Sequence, residues 1–184
     1  LGNFGTEIFK PIQDLNITEK TSLISPWQIK KEPIIKTNQL QNYRQSENTL
    51  SYSSKQTRNK SYIIGPLDLK NKDGIRFSYK ISSGDFAIRL LNKNKNIIVH
   101  KQLFTSPIKL YKGIPKTGLN PHLVSIFGFY PSNTWKNCVV EFEKSFKNQI
   151  NSNNDFSEIY FELVPMGNNI NWSFDRIQIV NKLN

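Results

Sequence analysis

The chain has 184 residues, of which 37% are hydrophobic and 12% aromatic. This is enough apolar material for one core, and the length argues against two full domains. No run approaches the ~18 consecutive apolar residues of a membrane-spanning helix, and the single cysteine, Cys138, excludes an internal disulfide framework and a multi-cysteine zinc site. A net charge of +11 suits an anionic partner, yet the lysines are dispersed and no nucleic-acid-binding motif is visible, so we do not expect nucleic acid binding.

The N-terminal quarter of the chain is polar and has no regular hydrophobic period. Prolines interrupt any helix there. We therefore predict an irregular N-terminal arm over residues 1–48 and a β-domain over residues 49–184. Residues 23–29, with Trp27 in the middle, are expected to pack onto this domain, because a buried structural tryptophan is the commoner outcome. The first residue, Leu1, leads us to expect a processed or trimmed start.

From residue 49 onward, short runs alternate apolar and polar residues, which is the period of a β-strand. Turn residues separate them at Gly65-Pro66, Ser83-Gly84, the Lys/Asn loop at 92–96, and 166–169. A long connection rich in Pro and Gly follows residue 103 and suggests a Greek-key crossing. The predicted strands are 61–64, 75–80, 85–90, 97–99, 123–130, 135–142, 158–164 and 171–180. The apolar phase of these runs predicts a core that includes Phe77, Phe86, Ile88, Leu90, Phe161 and Ile177.

These elements predict an all-β fold, a two-sheet antiparallel jelly-roll sandwich with the arm attached. A closed barrel is the nearest rival. A doubly wound α/β fold is disfavoured because no long helices separate the strands. The one helical signal lies at residues 143–150, where Phe146 and Ile150 are four residues apart.

No catalytic, cofactor or metal motif is evident in the sequence. Cys138 lies in an apolar stretch, and no local motif links it to His100 or His122. Paired glutamates such as Glu141 and Glu143 could in principle serve a glycoside hydrolase, but their shared strand parity is typical of solvent-facing residues. We therefore expect a protein without enzymatic activity that needs no cofactor and no metal.

The C-terminal third carries a family resemblance. Ser125-Ile126-Phe127-Gly128-Phe129, then Trp135, then the run 139–146, then the run 159–163, and last Trp172 to Ile179 follow in order. This order resembles the galactose-binding-like jelly rolls, among them the complex I intermediate-associated protein family and several carbohydrate-binding modules. The resemblance covers about residues 60–180.

The resemblance implies two functions. The leading hypothesis is a non-catalytic accessory or assembly subunit of a mitochondrial respiratory complex, which docks on other protein subunits. The alternative is an exported carbohydrate-binding or adhesion module at the cell surface or outside the cell. The candidate interface or ligand platforms are the aromatic residues Trp27, Trp135, Tyr160 and Trp172.

Overall fold

The structure is a computed structural model that describes residues 8–15, 23–33, 48–56, 60–103, 121–130 and 133–183. Within the expected arm, residues 39–48 are expected to form a loop: residues 39–47 lie outside this part of the chain, and Asn48 begins a strand instead. Residues 104–120 of the long connection also lie outside it. The described residues form antiparallel strands and one α-helix, as predicted for an all-β jelly-roll sandwich. The elements are β1 Phe9–Asp14, β2 Trp27–Lys31, β3 Asn48–Ser54, β4 Tyr62–Leu67, β5 Gly74–Leu91, β6 Ile97–Leu103, β7 Val124–Phe127, β8 Lys136–Phe142, α1 Lys144–Ser152 and β9 Ile159–Lys182, with short 3-10 helices at Pro121–Leu123 and Asn154–Phe156.

Two long strands, β5 and β9, run side by side through both layers of the sandwich. Their antiparallel pairing extends from Gly74 opposite Val180 to Leu91 opposite Tyr160. In the first layer, β4 flanks the start of β9 and β6 flanks the end of β5. In the second layer, the end of β9 pairs with β1 and β3, while the start of β5 pairs with β8. Strands β2 and β7 extend this layer on its two sides.

The two layers face each other across a single large aromatic and aliphatic core. The Phe77 ring in the second layer lies 6.1 Å from the Phe161 ring in the first, and Phe86 lies 5.2 Å from Phe174. These contacts follow from the alternation of side chains along each strand, which sends every second residue inward. The six predicted core residues are confirmed as buried, each with 2% or less of its surface exposed.

Two predicted turns, at Ser83-Gly84 and at 166–169, are wrong, because both are irregularities within continuous strands. Ser83 is opposite Asn171 and Asp85 is opposite Met166, so residues 167–170 of β9 bulge against the single residue Gly84. A bulge of this kind bends a strand without reversing it, which carries β5 and β9 from one layer to the other. Turn-like residues therefore mark a bend in the sandwich.

Gly84 is required at this bend by its backbone and its neighbours. Its φ of +85° lies in a region that side chains disfavour, and a Cβ there would come within 2.8 Å of Ile170. The predicted turn at Gly65-Pro66 is also wrong, because β4 continues through it to Leu67 with a shift of register. Proline has no N–H to donate to the ladder, and it is tolerated at a shift of register because the regular hydrogen-bond pattern is interrupted there.

The irregular arm also needs correction, since two segments within residues 1–48 are strands. Strand β1 pairs with β9 and strand β2 pairs with β3. Their side chains give no alternating signal: only Phe9 of β1 and Trp27 of β2 are buried. Backbone hydrogen bonds to neighbouring strands hold β1 and β2 in place, so a pattern based on hydrophobic periodicity does not predict them. The expectation that Trp27 packs onto the domain is confirmed.

Helix α1 covers one end of the sandwich and confirms the single helical prediction. Its two buried residues are Phe146 and Ile150, which share one face. The Phe146 ring lies 5.5 Å from Phe142 at the end of β8 and 6.1 Å from Phe156. Among the described residues, no helix is long and apolar enough to cross a membrane.

Candidate ligand-binding cleft

Two of the four predicted aromatic platforms lie in the core. Trp27 and Trp172 are 4% and 1% exposed, and their rings lie 5.8 Å apart at nearly a right angle. The Trp27 indole N–H donates to the carbonyl of Lys60 at 2.7 Å. In this arrangement neither ring presents a face to solvent, so both stabilise the sandwich.

The other two predicted platforms, Trp135 and Tyr160, are 6% exposed and half-buried, and a lysine ammonium lies near each ring. The Lys80 ammonium lies 5.3 Å from the centre of the Trp135 ring, and the carboxylate of Glu32 holds that lysine at 3.0 Å. The Lys95 ammonium lies 5.2 Å from the centre of the Tyr160 ring. A cation above an aromatic face is attracted to it, so a sugar ring would have to displace it.

The structure shows a concave site elsewhere, at the open side of the sandwich where β6 and the end of β7 come near each other. We name it the edge cleft and define it by residues 101–103 and 126–130. Its volume is about 470 Å³, within the usual range for small-ligand sites. Phe127 and Tyr130 line it and are 39% and 47% exposed. The cleft therefore combines a cavity of useful size with two accessible aromatic rings.

The aromatic floor of the edge cleft is anchored in the core. Phe129 is half-buried, with its ring 5.3 Å from Tyr79 and 5.9 Å from Phe86. The Tyr79 hydroxyl accepts a hydrogen bond from the Tyr130 N–H at 2.8 Å. The same hydroxyl lies 3.0 Å from the carbonyl of Gly128 and 2.9 Å from that of Tyr130, to either of which it can donate.

Through these hydrogen bonds, Tyr79 fixes the backbone of residues 128–130, which forms one wall of the edge cleft. Burial raises the pKa of Tyr79, so its phenol keeps the proton that it donates to the wall. Gly128, with a φ of 79°, turns the chain at the end of β7. A wall held from behind in this way presents its outward rings in a defined position, which limits the entropy lost on binding.

The opposite wall of the edge cleft supplies polar groups from β6. Lys101 and Gln102 both line the cleft, although neighbouring side chains of a strand point to opposite faces. The cleft therefore opens at the edge of β6, which pairs with β5 alone among the described strands. The Gln102 side-chain nitrogen is buried and makes no hydrogen bond.

A charged cluster lies next to Gln102 on the outer face of the first layer. Arg89 donates through Nε to His100 Nδ1 at 3.0 Å, and its Nη1 lies 3.7 Å from a carboxylate oxygen of Glu162. Ser61 donates to the other oxygen of Glu162. Burial, with a contribution from the charge of Arg89, lowers the pKa of His100 to about 4. His100 is therefore a neutral acceptor for Arg89 near pH 7.

The outer face of the second layer carries a buried polar network. Arg76 donates to the carbonyl of Phe9 at 2.8 Å and to Gln178 Oε1 at 3.0 Å. Gln178 in turn donates to Asp14 at 2.6 Å. These bonds tie β1 to the two central strands. Because its donors and acceptors already serve the fold, the network is a poor candidate for a ligand site.

The groups considered for catalysis are engaged or inaccessible. Cys138 is fully buried in the core, and burial raises the pKa of its thiol. Glu141 pairs with Lys182, and Glu143 accepts from Ser125. No group of three or more His, Cys, Asp or Glu side chains in the described ranges is placed to hold a metal ion.

Neither Phe127 nor Tyr130 is among the platform residues that the sequence predicts. Phe127 stands next to the apolar residue Ile126, so the alternation of the strand does not mark it as exposed. The signal that could have indicated its exposure is Gly128, which follows it directly and ends the strand. An aromatic residue on each side of such a turn is brought to the end of the strand, near the surface. Tryptophan was the stronger compositional signal, but in this chain the tryptophans are at least nine-tenths buried.

Comparison with known proteins gives likeness of fold only. No protein-family model and no curated protein sequence matches the chain, so the resemblance to the complex I intermediate-associated family has no support. Solved structures that match include a family 11 carbohydrate-binding module of a cellulosomal cellulase of Clostridium thermocellum, with 11% identity, a TM-score of 0.44 and coverage of 96% of both chains.

Two further solved structures belong to the same broad group. The module TmCBM61, solved in complex with β-1,4-galactotriose, has 13% identity and a TM-score of 0.40, and the match covers 86% of this chain and 90% of that one. The CBM22-1 xylan-binding domain of Paenibacillus barcinonensis has 14% identity and a TM-score of 0.39, with coverage of 86% and 87%. At such low identity, what those modules bind says nothing about the ligand of this chain.

Proposed function

We propose that this chain is a non-catalytic carbohydrate-binding module and that the edge cleft holds the glycan. The observation that carries the proposal is the exposure of Phe127 and Tyr130 around a cavity of about 470 Å³. A sugar ring has an apolar face of C–H groups that packs on an aromatic ring, and its hydroxyls need polar partners at the rim. The cleft offers both kinds of surface.

The polar partners lie on the wall opposite the aromatic rings. Lys101 offers an ammonium donor from β6, which among the described strands pairs with β5 alone. A glycan placed in the cleft would therefore contact an aromatic wall on one side and a hydrogen-bonding wall on the other. Such a role implies that the protein works at the cell surface or outside the cell, where glycans are found.

Binding to immobilised polysaccharides, followed by titration calorimetry with oligosaccharides, tests this function. We expect Tyr130→Ala and Phe127→Ala each to weaken binding about tenfold, as for an aromatic anchor in an interface. The control is Ile63→Ala, which truncates another exposed apolar side chain on β4. The melting temperature of all three variants should stay close to that of the parent chain, because each side chain is at least 39% exposed.

The rival function is a protein-docking subunit that uses the same exposed rings as its contact surface. Nothing in the described residues favours a respiratory complex as partner, and we do not propose a mitochondrial location. A chain that is retained by no polysaccharide would contradict the carbohydrate-binding proposal. A chain that binds glycans equally well with and without the Tyr130 ring would place the site elsewhere.

A further inference from the structure

The edge cleft reaches inward between the two layers, and the register of β6 decides which side chains of that strand face it. Lys101 is opposite Ile88 on β5. Two residues further on, Leu103 is opposite Phe86. Directly opposite residues of an antiparallel pair point to the same face of the sheet, and both β5 residues belong to the core. Lys101 and Leu103 therefore lie on the inner face of β6, about 6.6 Å apart along the strand.

The innermost part of the edge cleft is apolar on both walls. Leu103 lines it from β6 and is only 5% exposed. Ile126 and Phe129 line it from the other wall, where both are half-buried and packed against the core. The Phe129 ring lies 5.9 Å from the ring of Phe86. We name these three lining side chains the apolar end; they can contact an apolar group but can neither donate nor accept a hydrogen bond.

Lys101 places a strong donor beside the apolar end. It is half-buried and lines the cleft from the same face of β6 as Leu103. The four-carbon stem of a lysine can lie along apolar surface while its ammonium stays near water. An ammonium has three N–H donors and no acceptor, so it selects an acceptor oxygen. The inner part of the cleft thus joins an apolar surface to a donor.

A sugar that carries only hydroxyl groups fits this inner part poorly. A hydroxyl placed against the apolar end would lose its hydrogen bonds to water and gain none, which costs free energy. An acetyl group has no such difficulty, because its methyl group gains from burial and its carbonyl oxygen is an acceptor. The two parts of an acetyl group therefore match the two parts of the site.

We propose that the edge cleft binds an acetylated glycan, with the acetyl methyl group at the apolar end and the carbonyl oxygen accepting a hydrogen bond from the Lys101 ammonium. This inference rests on the carbohydrate-binding function proposed above and names its ligand class. The exposed rings of Phe127 and Tyr130 stay available to the sugar ring itself. An acetamido group on an amino sugar and an acetyl ester on a sugar hydroxyl share this chemistry.

The test compares ligands that share a backbone and differ in the acetyl group. Chitotriose and cellotriose have the same β-1,4-linked backbone, with an acetamido group in one and a hydroxyl in the other at C2. Acetylated xylan and the same xylan after deacetylation form the pair for the ester. We expect the acetylated member of at least one pair to bind about tenfold more tightly, from methyl burial and one hydrogen bond to a charged donor. The pair that shows the difference identifies the source of the acetyl group.

Two lysine variants test the donor. Lys101→Met keeps a long apolar stem and removes the ammonium, so the preference for the acetylated member should fall several-fold. Lys10→Met is the matched control on the exposed strand β1 and should leave the preference unchanged. Chitotriose and cellotriose are both uncharged, so the overall positive charge of the chain cannot produce a difference between them. An equal effect of the two substitutions on the preference would overturn the role of Lys101.

Two variants of Ile126 test the apolar end. Ile126→Phe should fill the space for the methyl group, so that chitotriose loses its advantage while cellotriose binds as before. Ile126→Val keeps this end apolar and open, and it should retain the advantage. Melting temperatures report whether each variant is folded; if Ile126→Phe is not, Lys101→Met gives the test at a half-buried position. A folded Ile126→Phe chain that keeps the full preference would overturn the placement of the acetyl group.

The ligand pairs also separate this inference from the function on which it rests. Equal binding of chitotriose and cellotriose, together with equal binding of acetylated and deacetylated xylan, would overturn the acetylated ligand and leave the carbohydrate-binding function intact. A chain that binds none of these four ligands and is retained by no immobilised polysaccharide would overturn both.

Discussion

The hydroxyl of Tyr79 and the backbone N–H of Tyr130 are joined by a 2.8 Å hydrogen bond, although 51 residues separate them in the chain. Tyr79 belongs to the core of the second layer and Tyr130 to the rim of the edge cleft. The bond therefore connects the part of the molecule that sets its stability to the part that we propose binds ligand. A core side chain that holds a binding loop in this way limits what the loop loses in entropy on binding.

This relationship predicts that Tyr79→Phe will weaken binding more than its effect on the fold suggests. The change removes the hydroxyl and leaves the aromatic core in place, so the free energy of unfolding should fall by only about 1 to 2 kcal/mol. The backbone of residues 128–130 then loses its hydrogen bonds to the core. We expect glycan affinity to fall at least threefold, about the effect of one hydrogen bond. Tyr62→Phe, which removes the hydroxyl of a tyrosine packed against Trp27, is the control. Comparable losses of affinity in both variants would mean that Tyr79 has no special role at the cleft.

Phe86 is a core residue whose truncation should be strongly destabilising. It is fully buried, and its ring lies 4.6 Å from Trp172 and 5.2 Å from Phe174. Phe86→Ala would leave a cavity between the two layers, so the free energy of unfolding should fall by about 3 to 5 kcal/mol in urea titration. A loss below about 1 kcal/mol would show that the two layers do not pack as described.

Alternation along the strands was enough to predict the fold class and the core, and the reason is physical. Residues such as Phe77 and Phe161 repeat with a period of two, and that period places them on one face wherever the strand lies in the sheet. Local sequence says much less about whether a strand bends or ends. Gly84 looks like a turn residue because a turn and a bulge require the same backbone freedom, and only the partner strand decides between them.

The candidate site was harder to predict, since exposure depends on what covers a residue from elsewhere in the chain. Trp135 is only 6% exposed, and the Lys80 ammonium lies 5.3 Å from the centre of its ring.

His100 should make the stability of the fold fall in mild acid. Burial and Arg89 lower its pKa in the folded chain to about 4 from the ordinary value of 6.5. Between these two values the unfolded chain binds more protons than the folded chain, so lowering the pH through this range favours unfolding. The loss is at most about 3.5 kcal/mol, because the shift is about 2.5 pKa units and one unit corresponds to about 1.4 kcal/mol.

Melting temperatures at pH 7, 5.5 and 4 would measure this effect. Carboxylates, Glu162 of the same cluster among them, also titrate in this range, so the parent chain must be compared with His100→Asn, which removes the imidazole and leaves these carboxylates in place. The drop in melting temperature should be smaller in the variant. Parallel curves for the two chains would show that His100 is not held in its neutral form.

Removal of residues 1–48 should unfold the sandwich, contrary to what an irregular arm would predict. The deletion takes away β1 and β2, exposes the edges of β9 and β3, and removes Trp27, whose ring packs 5.0 Å from Tyr52. Exposed edges and a lost core aromatic together should lower the melting temperature by at least about 10 °C or abolish a cooperative transition. The point variant Trp27→Ala should reproduce much of this, at about 3 to 5 kcal/mol. Ile24→Ala, which truncates a side chain that is 69% exposed three residues earlier, is the matched control and should melt like the parent chain. If the truncated chain kept the parent melting temperature, β1 and β2 would be dispensable additions to a sandwich that is complete without them.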